Sequence, residues 1–123
     1  MAIRFKQSIL FVKDVAVMKA FYSDLLGLPV ISRDSTPDFT VLDAGGARLA
    51  LHAIPKAHAK DVVIDNPARA RDLAATKLVF AVDDVMAERA RLVAAGVPMR
   101  EPWSFGACDG IDPEGNVFQL APS

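Results

Sequence analysis

At 123 residues the chain has room for one domain, or for two small modules sharing a core. It is 52% hydrophobic and 24% charged with a formal net charge of -1, which excludes a disordered tail and leaves no basic footprint for nucleic acid. One cysteine excludes an intramolecular disulfide and a multi-thiolate metal site, and two histidines, His52 and His58, argue against a histidine-rich one.

The first residues, Met1–Gln7, contain no apolar run of a secretory leader, and nowhere do 18 apolar residues follow one another. The expectation is a cytoplasmic protein without a membrane span, with Cys108 as a reduced thiol. Ser8–Val12 reads as a strand, and Asp14 as the N-cap of a helix. From Val15 to Leu26 the residues Val15, Met18, Phe21, Tyr22, Leu25 and Leu26 recur at helical spacing. Gly27 ends that helix and Pro29 forbids its continuation. Strands are predicted at Pro29–Ser32, Asp38–Leu42 and Ala47–Ile54, with Asp43–Gly46 as a tight turn.

Pro55–Thr76 is long for a connection, where about 4–6 residues is the median, and reads as a linker or as a lid. Within it, Val62–Ile64 suggests order and Ala68–Ala75 a short helix. Beyond it the grammar returns: strand Leu78–Val82, cap Asp84, helix Val85–Ala95, Gly96 and Pro98. Strands at Val97–Glu101, Trp103–Cys108 and Asn116–Ala121 follow, with a turn at Asp112–Gly115.

The return is in register. Gly27-Leu28-Pro29-Val30 matches Gly96-Val97-Pro98-Met99 at an offset of 69, as do Asp43–Gly46 with Asp112–Gly115 and Leu51 with Leu120. Val12-Lys13-Asp14-Val15 matches Val82-Asp83-Asp84-Val85 at 70, so one residue slips within the helix between. The expected class is α+β: two tandem βαβββ modules, 5–54 and 77–122, within one domain spanning 1–123. Their sheets would form a curved mixed sheet around a cavity, with the helices outside.

This pairing, with Asp14, Phe21-Tyr22 and Leu25-Leu26-Gly27-Leu28 in the first module, resembles the vicinal oxygen chelate superfamily of glyoxalase I, extradiol dioxygenases and bleomycin resistance proteins. Asp112-Pro113-Glu114-Gly115-Asn116 and the run through Leu120 look like its closing signature. In metal-dependent members four ligands stand on the first and last strands of each module. The resemblance places those positions on Gln7, Ala50, Lys77 and Gln119. An ammonium has no lone pair to give, alanine has no donor, and neutral amide oxygens are weak ligands for transition metals. The expectation is therefore no metal and no cofactor, closest in character to metal-free members.

Strand alternation supplies a lining for the cavity. The candidate ligand-binding residues are Gln7, Phe11, Phe39, Arg48, His52, Lys77, Trp103, Phe105 and Gln119, with His52 as a weak catalytic candidate. Each has a plainer role. Trp103 could be a structural anchor, His52 a half-buried ring, Lys77 and Arg48 ion-pair partners or solvated ends, and Arg48 equally a dimer contact. Cys108 reads as a small buried hydrophobe, and His58, Arg69 and Arg71 as solvated groups. The leading expectation is a protein that binds a small, partly aromatic molecule, in the manner of antibiotic resistance by sequestration, as a homodimer. The alternatives are a metal-independent or degenerate lyase, isomerase or dioxygenase using His52 with Lys77 or Arg48, and a regulatory module with a filled cavity.

Overall fold

The computed structural model describes residues 2–123, which divide into two compact units meeting in sequence at Val63 and Ile64. The boundary falls inside the long connection between the repeats.

In the first unit, β1 (Gln7–Val12) runs into α1 (Val15–Lys19), followed by β2 (Phe39–Asp43), β3 (Arg48–Ala53) and a short α2 (Lys56–Ala59). β1 pairs parallel with β3, and β2 pairs antiparallel with β3, giving the order β1-β3-β2. A parallel pair needs a crossover between its strands, and the helical segment after β1 provides it. Asp14 caps that segment: its Oδ1 accepts from the Val17 amide at 3.1 Å. Met18, Phe21 and Tyr22 are buried, as are Val12, Leu42, Leu49 and Leu51 on the near face of the sheet.

The second unit repeats the plan with β4 (Leu78–Val82), α3 (Val85–Ala94), β5 (Cys108–Ile111) and β6 (Val117–Pro122). The order is β4-β6-β5, parallel then antiparallel. The Oδ1 of Asp84 accepts from the Ala87 amide at 3.0 Å, and Val85, Leu92, Cys108, Phe118 and Leu120 are buried. Gly27 and Gly96 both end their helices in the left-handed region, at φ 85° and 88°. The α+β class thus holds, as two three-stranded mixed sheets each with its own helix.

Several elements differ from expectation. The helix expected over 15–26 is α only to Lys19, and Ala20–Leu25 forms a π turn. Thirteen residue steps separate Asp14 from Gly27, against twelve from Asp84 to Gly96. The wider turn, closed by the Leu26 amide on the Phe21 carbonyl at 2.9 Å, absorbs that extra residue. It also leaves the adjacent Phe21 and Tyr22 rings both buried, edge to face at 4.9 Å.

The strands expected at Pro29–Ser32 and Val97–Glu101 shrink to single bridges, Val30 with Leu42 and Met99 with Gly110. Pro29 and Pro98 accept hydrogen bonds there from Asp43 and Ile111, but proline has no N–H to extend a ladder. Trp103–Cys108 is not a strand either. Trp103 to Gly106 turns sharply, with the Gly106 amide on the Trp103 carbonyl at 2.9 Å, and the strand begins at Cys108.

No helix forms at Ala68–Ala75. The Arg71 amide instead donates to the Gly115 carbonyl at 2.8 Å, and Arg100 Nη1 donates to Asp72 Oδ1 at 2.6 Å. These contacts hold the segment against the second unit's own turn. That turn is organised by Asp112, whose Oδ1 accepts from the Glu114 and Asn116 amides at 2.9 Å each. No helix among the described residues is long and apolar enough to cross a membrane.

Candidate functional site

Each sheet buries one face under its helix, so chemistry has to be sought on the other. In the first unit, the register places Gln7, Ile9 and Phe11 beside Arg48, Ala50 and His52, with Phe39 and Val41 across β3. Phe11 is 60% exposed and Ile9 42%, whereas Val41 and Ala50 are buried. His52 stands opposite both Phe11 and Phe39, so its ring lies between theirs, at 5.2 and 5.3 Å between centroids. Three candidate residues from three strands therefore form one cluster. Arg48 is drawn elsewhere, its Nη1 donating to Asp34 Oδ2 at 2.9 Å.

The same face in the second unit is polar at its centre. Lys77 Nζ donates to Asp109 Oδ2 at 3.0 Å, and Gln119 Nε2 donates to Asp109 Oδ1 at 3.0 Å. Asp109 is only 2% exposed and stands directly opposite Gln119. Burial pushes its carboxyl up, but the hydrogen bonds from Gln119 and Lys77, the Lys77 charge and a smaller contribution from Trp103 hold it below the usual carboxylate range. It is the one residue at this centre that the sequence reading missed. The predicted strand stopped at Cys108, one residue short. Extending the hairpin outward from the Asp112 turn would have set Asp109 against Gln119.

Trp103 and Phe105 come together as a pair, 6.0 Å between centroids and 10° between planes, both exposed on the turn rather than on a strand. Gln7 is half-buried at the start of β1. Cys108 is buried, its Sγ donating to the Arg100 carbonyl at 3.1 Å. Burial raises that thiol, which disfavours the thiolate needed of a nucleophile or a metal ligand.

The four positions that the resemblance assigns to metal ligands carry side chains poorly suited to that role. Lys77 is an ammonium without a lone pair and donates to Asp109, Ala50 offers a buried methyl group, and the Gln119 amide donates to Asp109. Among the described residues no three His, Cys, Asp or Glu side chains are grouped to hold a cation.

Comparison with known proteins gives these faces a context. The model of the Glyoxalase/Bleomycin resistance protein/Dioxygenase superfamily matches residues 4–120. The chain belongs to that superfamily. No curated protein matches the sequence. Solved structures of the superfamily fold include a lactoylglutathione lyase from Agrobacterium tumefaciens, 22% identical, covering 95% of this chain and 91% of that one, at a TM-score of 0.68. TnmS3, an antibiotic binding protein from Streptomyces sp. CB03234, is 24% identical over 100% and 99% of the two chains, at 0.69. The trypanothione-dependent glyoxalase I of Leishmania major is 20% identical over 98% and 87%, at 0.71. At these identities the superfamily likeness is one of fold, and the site has to be argued from this chain's residues.

Proposed function

We propose that this superfamily member binds a small, partly aromatic molecule on apolar surface without a metal, rather than transforming it. The observation that carries the reading is the cluster of Phe11, His52 and Phe39, with the flanking Phe11 and Ile9 open to solvent. Exposed aromatic and aliphatic side chains with a few polar groups suit a flat, mostly apolar ligand. The stacked, exposed Trp103 and Phe105 add a second aromatic surface. The donor chemistry of Gln7, Ala50, Lys77 and Gln119 supports metal independence, and sequestration is in keeping with the fold neighbour TnmS3 being an antibiotic binding protein. A homodimer in the cytoplasm, serving antibiotic resistance, belongs to the same proposal.

The catalytic alternative would need His52 as a base, with Lys77 or Arg48 stabilising negative charge. Arg48 is already tied to Asp34, and the His52 ring is packed between those of Phe11 and Phe39, which weighs against that use.

Thermal-shift screening tests the choice. Aromatic antibiotics should raise the melting temperature, and His52→Ala should reduce that rise by removing the ring between Phe11 and Phe39. Stabilisation only by glutathione adducts or 2-oxo acids would move the reading to an enzyme. Elemental analysis of the purified protein should find no stoichiometric Ni, Zn, Mn or Fe; finding one would overturn metal independence.

A further inference from the structure

The lysine on the second sheet has a geometry that the reading above does not require. Its partner carboxylate is sealed: Asp109 is buried, with Oδ2 engaged by Lys77 and Oδ1 by Gln119. The Lys77 side chain remains 40% exposed. The pair is therefore oriented, with its negative end inside and its positive end towards solvent. An ammonium carries three N–H donors and no acceptor. One is used on Asp109, and the exposed end of the ammonium leaves the others to solvent, where an acceptor on a ligand can replace water. Val79, on the same face, is exposed and apolar, which favours a ligand that joins a hydrophobic body to a charged oxygen.

We propose that Lys77, positioned by Asp109 and Gln119, is a specificity-determining residue of the second unit's own face, where it receives an anionic oxygen, a carboxylate or phenolate, of a partly aromatic ligand. Asp109 acts through Lys77 and is a positioning residue. This inference rests on the proposed binding of a partly aromatic molecule and narrows it to aromatic anions. The fixed ammonium discriminates between ligands by leaving a neutral analogue without the charge-assisted hydrogen bond.

The test is calorimetric titration of the full chain with 2-naphthoate and its neutral analogue 2-naphthamide. The unaltered protein should prefer the carboxylate by about tenfold or more. Lys77→Met should abolish that preference while keeping affinity for the amide, and Lys77→Arg should keep most of it. The double variant Lys77→Met/Asp109→Asn, which leaves no unpaired buried charge, should behave as Lys77→Met and serves if the single variant folds poorly. Asp109→Asn alone should reduce the preference without abolishing it. Equal binding of both probes by the unaltered protein, or a preference unchanged by Lys77→Met, would overturn the role of Lys77 and leave the aromatic reading standing. Failure of either probe to bind at millimolar concentration would overturn both.

Discussion

The two units share a topology and place opposite chemistry on it. At the centre of the first sheet's far face stand Val41 and Ala50, with the Phe11, His52 and Phe39 rings beside them. At the corresponding centre of the second stand Asp109 and Gln119, joined by Lys77. The backbone ladders are alike, so pairing energy cannot explain the difference. The near-face side chains differ too but stay largely apolar, as with Leu49 against Phe118, whereas those of the far faces differ in kind; alternation lets one face diverge while the other keeps a core. Duplication supplied two scaffolds, and each far face has gone its own way: apolar and aromatic in one, ionic in the other.

The sharpest way to break the contrast is to move the acid across it. Val41→Asp puts a carboxylate at a buried position opposite Ala50, where the first unit has Ala50 in the place of Gln119 and the neutral Gln7 in the place of Lys77. It should cost about 3–5 kcal/mol of stability in denaturant unfolding, as an uncompensated buried charge does. A cost below about 1 kcal/mol would show that the second sheet's polar partners are dispensable.

The hairpin turns offer a second contrast. A Cβ on Gly115 would collide with the Arg69 carbonyl, and its φ is 92°; Gly46, its counterpart, has φ 119° and nothing within reach. Gly115→Ala should therefore cost about 3 kcal/mol or more and Gly46→Ala about 1–2 kcal/mol, read from unfolding midpoints.

The smallest effect comes from removing the acid where it belongs. Asp109→Asn should cost about 1–2 kcal/mol at neutral pH. Because the folded carboxyl lies below its ordinary value, its contribution is complete above the unfolded value of about 4 and is lost as pH falls through the folded one. The variant should accordingly show a flatter acid limb in stability against pH, with curves converging at low pH.

What the sequence disclosed was whatever is local. The caps Asp14 and Asp84 act within one turn, and Gly27 and Gly96 end their helices through their own backbone angles, so both strand–helix units could be read directly. Alternation correctly grouped Phe11 with His52 and Lys77 with Gln119. Strand limits depend on partners distant in the chain, so the apolar residues from Trp103 read as a strand but form a turn, and Asp109 lies one residue beyond the strand that the sequence predicts. Aspartate followed by glycine has turn chemistry in isolation; only the opposing Gln119 and the nearby Lys77 make Asp109 a strand residue with a partner for its charge. An ion pair was one of the roles open to Arg48, but its partner Asp34, 14 residues away in the chain, could not be named from the sequence.

The π turn at Ala20–Leu25 bears on the history of the two halves. Inserting one residue into an ordinary helix swings everything beyond it by about 100°, which would have displaced the Gly27 exit. By widening a single turn, the first copy confines its extra residue to six positions and delivers the chain to the same glycine as the second. Insertions and deletions in one copy need not be matched in the other. The bulge is thus a scar of divergence in length, and it marks where a gap belongs when the halves are aligned.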